Sequence, residues 1–104
     1  MNKLINDPDY NIRWIIARQG KYLNELINDE NYLVRREVVN RGYGLNKLIN
    51  NPHPMVRSEV AEQGYRLNIL INDKNGFVRY TVIEYCKKYI YNENCKNILL
   101  LNNI

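Results

Sequence analysis

Apolar and polar positions recur along this chain with a period of 22 residues. The triplet Leu-Ile-Asn begins at Leu4, Leu26, Leu48 and Leu70. The same spacing separates four pairs of an aliphatic residue and an arginine, the first at Ile12-Arg13, and further aliphatic positions. It also separates the glycines Gly20, Gly42 and Gly64. Because so many residue classes stay in register, the pattern indicates an internal repeat of a kind typical of solenoids, in which each unit packs on its neighbours.

Each repeat predicts a long helix followed by a short one. Asp7 and Asn51 each precede a proline, which places a capping side chain before the first helical turn. Apolar residues then recur at helical spacing, and a glycine ends the helix. The following segment, such as residues 23–27, is short enough to be either α or 3₁₀ helix. Neither helix is stable alone at this length, so each must pack on the next repeat.

The repeat reads D-P-x-x-x-V-R-x-x-V-A-x-x-G-x-x-L-x-x-L-I-N, and it resembles the leucine-rich repeat variant family and, more distantly, HEAT repeats. The resemblance covers roughly residues 3–91. It implies alternating α and short, often 3₁₀, helices wound into a right-handed superhelix. The repeat here is shorter by a residue or two in the turn after the first helix. Some family members carry an iron–sulfur cluster, which needs four thiolates. Cys86 and Cys95 cannot supply them.

We therefore expect an all-α fold, a right-handed α-solenoid of four helix–short-helix repeats, forming one domain over residues 1–104. The repeats span about 4–25, 26–47, 48–69 and 70–91, and residues 92–104 form a C-terminal cap. In the fourth repeat Cys86 takes the place of the glycine, which predicts that the long helix continues through Ile90. An apolar set in the cap is expected to cover the open end of the stack: Ile98, Leu99, Leu100 and Leu101.

An acid before each long helix and an arginine six residues later form a predicted structural ladder. Its members are Asp7, Arg13, Asp29, Arg35, Arg57, Asp73 and Arg79. The arginines could contact phosphate, but the constant spacing favours pairing with the acid six residues earlier, within or between repeats. Asn51 interrupts the acid row, so Arg57 is the arginine predicted to be least constrained.

Net charge is +4 and the isoelectric point is about 9.1, which mildly favours acidic or polyanionic partners.

Basic and tyrosine residues cluster around the turn after each glycine and vary between repeats. This post-glycine strip comprises Arg18, Lys21, Tyr22, Arg41, Tyr43, Tyr65, Arg66, Lys87 and Lys88. Such a strip suits nucleic acid, whose backbone it would follow while rings stack on bases. A solvated rim, with Tyr43 and Tyr65 packed on the next turn, is the favoured alternative.

The outer face of the long helices mixes both charges. Acids there, among them Glu37, Glu59, Glu62 and Glu84, are expected to be exposed and would disfavour phosphate. In the first repeat Trp14 and Ile15 replace residues that are mostly polar in later repeats. They form either a protein interface or a cover over the short N-terminal segment. Two such N-terminal ends could also bury each other in a homodimer.

No catalytic constellation is visible in the sequence, and we expect no catalytic residue, metal ion or cofactor. His53 lies between two prolines and is expected to be a surface turn residue, whereas Cys86 and Cys95 are expected to pack in the core. The stretch 1–7 lacks the features of a signal peptide, and no apolar run approaches the roughly 20 residues of a membrane helix. These features predict a cytoplasmic protein without a membrane partner.

The function expected from these patterns is a non-catalytic protein-interaction module, a helical-repeat scaffold. The alternative is a nucleic-acid-binding module, or an inhibitor of a nucleic-acid enzyme, that uses the post-glycine strip.

Overall fold

The computed structural model describes residues 4–104, and every regular element within that range is helical. A 3₁₀ turn at Leu4–Asn6 precedes eight α-helices. We call the four long ones α1 (Tyr10–Arg18), α3 (Tyr32–Asn40), α5 (Pro54–Glu62) and α7 (Gly76–Lys88). The short ones are α2 (Leu23–Leu26), α4 (Leu45–Leu48) and α6 (Leu67–Leu70), and α8 (Glu93–Leu101) ends the chain.

The long helices begin two residues later than the sequence pattern predicts. Their capping residues are Asp9, Asn31, His53 and Asn75, each with extended backbone and a side chain that accepts the amide N–H two residues on. The prediction that Asp7 and Asn51 cap these helices is therefore wrong. Both side chains accept the N–H of the capping residue itself, at 2.9 and 3.0 Å, and so shape the turn before the helix.

Each of the first three long helices ends at a glycine in the left-handed region, with φ of 76° at Gly20, 82° at Gly42 and 73° at Gly64. The short helices that follow are α-helical, which settles the helix type that the sequence left open. Each begins after a second left-handed residue, which is a non-glycine at Tyr22 and Arg66.

Packing follows chain order. The main contacts of the long helices join α1 to α3, α3 to α5, and α5 to α7, and each short helix packs on the long helix that follows it. The Cα atoms span 56 × 24 × 18 Å. The core is a row of fully buried aliphatic residues contributed repeat by repeat: Leu26, Leu48 and Leu70 from the short helices, and Val34, Val38, Val39, Val56, Val60, Val78 and Val82 from the long ones.

The C-terminal end departs from the repeat. Helix α7 runs through the position that glycine holds in earlier repeats, and it ends at Lys88 rather than at Ile90 as predicted. Helix α8 packs on α7 and α6. Ile98 and Leu99 are buried there, but Leu100 and Leu101 are 74% and 83% exposed, so the prediction that all four cover the end is wrong for those two. Successive residues point to different sides of a helix, and only one side meets the stack.

None of the helices described over residues 4–104 has the length and apolar character that crossing a bilayer requires.

Candidate functional site

The arginine ladder is built by contacts between consecutive repeats. Arg13 donates from Nε and Nη2 to the two carboxylate oxygens of Asp29, at 2.7 and 3.2 Å. Its Nη1 donates to the backbone carbonyl oxygen of Asp7 at 2.6 Å. Arg57 repeats the arrangement, with Asp73 as the carboxylate (2.8 and 3.1 Å) and the Asn51 carbonyl oxygen at 2.7 Å. Each paired arginine therefore ties one repeat to the next.

Arg13 and Arg57 form ion pairs between repeats, but the predicted pairing of Arg13 with the acid six residues earlier is wrong. The residue six positions earlier contributes its backbone carbonyl, and the carboxylate comes from 16 positions later. Arg57 therefore has a full set of hydrogen-bond partners, and the prediction that it is the least constrained of the four arginines is wrong. The arginine opposite Asn51 is Arg35, whose Nη2 lies 3.5 Å from the amide oxygen. Arg79 donates to the Asp73 carbonyl at 2.7 Å from an exposed position.

The electrostatics agree with these ion pairs. The hydrogen bond to Asp29 outweighs burial and raises the pKa of Arg13. Burial opposes ionisation of Asp73, but the hydrogen bonds from Arg57 and from the Asn75 N–H outweigh it, so the pKa of Asp73 lies below its ordinary value. Both groups are therefore charged near neutral pH. They act as structural ion pairs, and their nitrogens are committed to protein acceptors.

A groove of about 400 Å³ crosses the outer face of the first three long helices. We call it the first groove. Its walls are Tyr10, Asn11 and Trp14 from α1, Leu33, Arg36, Glu37 and Asn40 from α3, and Glu59 from α5. Trp14 is half-buried against the core, and the Arg18 guanidinium lies 5.3 Å from its ring centre. The groove therefore combines aromatic surface with charged groups of both signs.

Two acids of this face are buried, contrary to prediction. Glu37 and Glu59 are each only 7% exposed. Arg41 lies 3.4 Å from the carboxylate of Glu37, and Arg36 lies 3.3 Å from that of Glu59. Sequence reasoning missed this burial because it treated the outer face as solvated, whereas each carboxylate is covered by an arginine, Glu37 by Arg41 four residues later and Glu59 by Arg36 of the preceding long helix. The side chains of Arg41 and Arg36 are 40% and 42% exposed, so the arginine of each pair is accessible in the groove or beside it.

A second groove, of about 280 Å³, lies on the same face between α5 and α7. Its walls are Glu62 from α5 and Phe77, Tyr80, Thr81, Glu84, Tyr85 and Lys88 from α7, with Tyr89 beyond. Phe77 and Tyr80 stand at the repeat positions that Asn11 and Trp14 hold in the first groove, three repeats earlier. Glu62 and Glu84 stand at the repeat position of Asn40, one and two repeats later. The two grooves therefore occupy equivalent places on one continuous surface, which we call the long-helix face.

The structure separates the two residues that the sequence proposes as an interface in the first repeat. Trp14 lines the first groove and also packs against the core, whereas Ile15 is exposed. The exposed Ile15 agrees with the interpretation of the pair as a contact surface, whereas the packing of Trp14 on the core agrees with the interpretation as a cover.

The post-glycine strip is partly engaged with the protein itself. Arg66 lies over the Tyr65 ring at 5.4 Å, and Lys88 over the Tyr89 ring at 5.6 Å. Lys87 lies 3.5 Å from Glu84. Tyr65 packs against the core as the solvated-rim alternative expects, whereas Tyr43 is exposed, as are Lys21 and Tyr22.

His53 has a definite structural role that the sequence analysis missed. Its Nδ1 accepts the Met55 N–H at 3.1 Å and so caps α5, and its ring stacks on Tyr32 with centres 3.7 Å apart. Burial, followed by the charges of Arg35 and Arg57, lowers the pKa of His53. The imidazole is thus neutral near pH 7, as an acceptor must be. The signal was present in the sequence, because His53 stands at the repeat position of Asn31 and Asn75.

Cys86 and Cys95 are buried free thiols, as expected. Burial, with a hydrogen bond to Cys95, raises the pKa of Cys86 to about 12, so its thiol is protonated and a poor nucleophile. Within residues 4–104, no three or more His, Cys, Asp or Glu side chains converge as a metal site.

Comparison with family models, with curated proteins and with solved structures found no match to this chain.

Proposed function

We propose that this chain is a non-catalytic helical-repeat module, arranged as a solenoid, that binds a protein partner along its long-helix face. The 22-residue recurrence and the contacts between successive long helices support the repeat arrangement. The resemblance of the repeat to the leucine-rich repeat variant and HEAT families supports a right-handed superhelix.

The observation that carries the proposal is the first groove. It presents a half-buried tryptophan, Trp14, beside an exposed tyrosine, Tyr10, and the charged rim group Arg36. Tryptophan, tyrosine and arginine are the residues most enriched at interface hot spots. At the positions equivalent to Trp14 the later repeats carry Arg36, Ser58 and Tyr80, so the repeat architecture itself does not require an aromatic residue there.

The charge on the long-helix face favours a protein over nucleic acid. Along the row of groove positions the acids outnumber the bases, although the whole chain has net charge +4. The acids are Glu37, Glu59, Glu62 and Glu84, and the bases are Arg18, Arg36 and Lys88. Glu37 and Glu59 are neutralised by Arg41 and Arg36, but the exposed carboxylates of Glu62 and Glu84 would repel a phosphate backbone. A partner with apolar anchors and some basic side chains would find complementary groups in both grooves.

The test uses the partner captured from extracts of the source cells, with and without nuclease treatment. Trp14 is the only tryptophan of the chain, so its fluorescence reports directly on occupancy of the first groove. We expect Tyr10→Ala to weaken binding by about thirtyfold, because a hot-spot residue contributes about 2 kcal/mol. The matched control, Lys21→Ala with Arg66→Ala on the post-glycine strip, should bind as the wild type does. A control variant that loses binding, while Tyr10→Ala keeps it, contradicts the proposal.

Nucleic-acid binding is the second candidate function, favoured by the exposed Lys21 and Tyr22 and by Arg66 lying over the Tyr65 ring. Salt dependence separates it from the first, because neutralising several phosphates makes affinity fall steeply as salt rises. Binding to a single-stranded oligonucleotide that is lost with rising salt, and lost in the Lys21→Ala and Arg66→Ala variant, would establish this alternative instead.

A further inference from the structure

Arg35 is the half-buried ladder arginine that has no carboxylate partner among the residues that the structure describes. Its Nη1 donates to the Asp29 carbonyl at 2.6 Å, as in the repeats on either side. Its Nε is buried and has no hydrogen-bond partner among the residues that the structure describes. In Arg13 and Arg57 the same atom donates to a carboxylate oxygen at 2.7 and 2.8 Å.

The cause is one substitution within the repeat. Asn51 stands where Asp29 and Asp73 stand in the adjacent repeats. All three side chains use one oxygen, Oδ1, to accept the N–H two residues later. In Asn51 this fixes the amide so that Nδ2 takes the place of the second carboxylate oxygen. Nδ2 and the Arg35 Nε are both donors, so neither satisfies the other.

Arg35 also borders an open groove of about 390 Å³ between the second and third repeats. Lys47 lines the same groove, and its ammonium donates one hydrogen bond to the side-chain oxygen of Asn28, which leaves its other N–H groups for a ligand. Two acids lie nearby, but Asp29 is held by both of its oxygens on Arg13, and Glu30 lies 3.6 Å from that same arginine. The groove therefore holds two cations and two carboxylates, of which Asp29 is fully engaged by Arg13 and Glu30 extends into solvent with its side chain 86% exposed.

We propose that this groove is a binding site for an oxyanion, a phosphate or carboxylate group, held by the Arg35 guanidinium and the Lys47 ammonium. The ligand supplies the negative charge that aspartate supplies in the other repeats. Guanidinium pairs well with both groups because its planar N–H donors match their oxygens, and lysine adds a flexible point charge. The site lies on the turns between repeats, so it is independent of the partner proposed for the long-helix face.

The test follows the Nε–Hε resonance of Arg35 by NMR while inorganic phosphate, and separately acetate, replaces chloride at constant ionic strength. Constant ionic strength removes the general effect of screening. A saturable shift of this resonance, with those of Arg13 and Arg57 unmoved, is the expected result. The ligand that binds more tightly identifies phosphate or carboxylate as the natural chemistry.

Two variants provide matched controls. Asn51→Asp fills the position with an internal carboxylate and should weaken binding by at least about tenfold. Lys47→Ala, at an exposed position, should weaken it severalfold without affecting the fold. The proposal is overturned if neither anion gives a saturable shift, or if Asn51→Asp binds as the wild type does. Because Asn51→Asp adds an ion pair of the kind found in the neighbouring repeats, loss of folding does not obscure the result.

Discussion

Single substitutions within the repeat have consequences that the neighbouring repeats make measurable. At Asn51, Asn51→Asp should complete the ladder, because Asp29 and Asp73 already show the geometry in which both carboxylate oxygens accept from arginine. Hydrogen bonds to charged groups contribute roughly 1.5–3 kcal/mol, and desolvating the new carboxylate offsets part of this. We expect the free energy of unfolding to rise by about 1–2 kcal/mol, measured by urea denaturation at pH 7.

The control for that variant is Asn97→Asp, which makes the same change of net charge at an exposed position of α8. It should change stability by less than about 0.5 kcal/mol. Equal stabilisation by the two variants would mean that overall charge, and not the contact with Arg35, is responsible.

His53 predicts a pH dependence of stability. Its pKa is lowered by folding, so the stability it contributes is fully present above its unfolded value, near 6.5, and is lost as pH falls through the lower folded value. Protonation removes the acceptor that caps α5. Between pH 7.5 and pH 5 we expect the free energy of unfolding to fall by roughly 0.5–1 kcal/mol, the scale of a helix cap.

The matched variant is His53→Asn, because Asn31 and Asn75 cap α3 and α7 from the same repeat position. It should keep the cap and remove the pH dependence over that range. Urea denaturation of both proteins at each pH measures the difference. If His53→Asn loses stability with falling pH as the wild type does, another group is responsible.

The contacts of single residues were harder to predict than their classes. Periodicity identified Arg13, Asp29, Arg57 and Asp73, but it could not show that Arg13 reaches Asp29 rather than Asp7. That choice depends on how far one repeat is displaced along the stack from the next, which is a property of packing. The same limit explains Glu59, which pairs with Arg36 of the preceding long helix.

At the scale of elements, the amino-acid pattern predicted the alternation of long and short helices and the glycines that end the first three long helices. It placed the capping residues two positions too early, because a proline after Asp7 or Asn51 gave the more familiar signal. The short helices could not be assigned as α or 3₁₀, since four residues carry too little periodicity to separate them. The end of α7 was also missed, because no glycine marks it.

The helix ends make a comparison between Gly20 and Gly64 informative. Both have a left-handed backbone, with φ of 76° and 73°. A Cβ at Gly20 would meet no atom within 4 Å, whereas at Gly64 it would collide with the Tyr85 hydroxyl. We expect Gly20→Ala to cost about 1–2 kcal/mol from backbone strain alone. Gly64→Ala should cost more, by roughly 1 kcal/mol, because Tyr85 must also shift.

Thermal and urea unfolding of the two glycine variants measures that difference. Tyr85 is half-buried and packs on Tyr89 with ring centres 4.5 Å apart, which limits how it can move. Equal losses in the two variants would show that Tyr85 yields freely and that strain alone decides the cost.

The whole molecule is longer than a compact chain of its length. Its radius of gyration over Cα atoms is 15.3 Å, against about 13 Å for a compact domain near this size. This shape follows from packing in chain order, which leaves the long-helix face as a broad surface. The sequence predicted an all-helical chain correctly. The partner, and a homodimer through the N-terminal end, stay predictions, because a face can be located from its periodicity while its ligand cannot.

Packing in chain order also predicts how a local defect spreads. Leu48 and Leu99 are both buried leucines, but Leu48 lies in the middle of the stack and Leu99 in the last helix. Leu48→Ala and Leu99→Ala should each cost roughly 2–5 kcal/mol locally. When units interact mainly with their neighbours, that loss is felt next to the defect and fades with distance.

Hydrogen exchange measured helix by helix should therefore show reduced protection on both sides of α4 in the Leu48→Ala variant. In the second variant the reduction should be confined to α6, α7 and α8, while α1 and α3 exchange as in the wild type. If Leu99→Ala lowers protection of α1 as much as that of α8, the chain unfolds as a single unit, and the view that its repeats are coupled only to their neighbours is wrong.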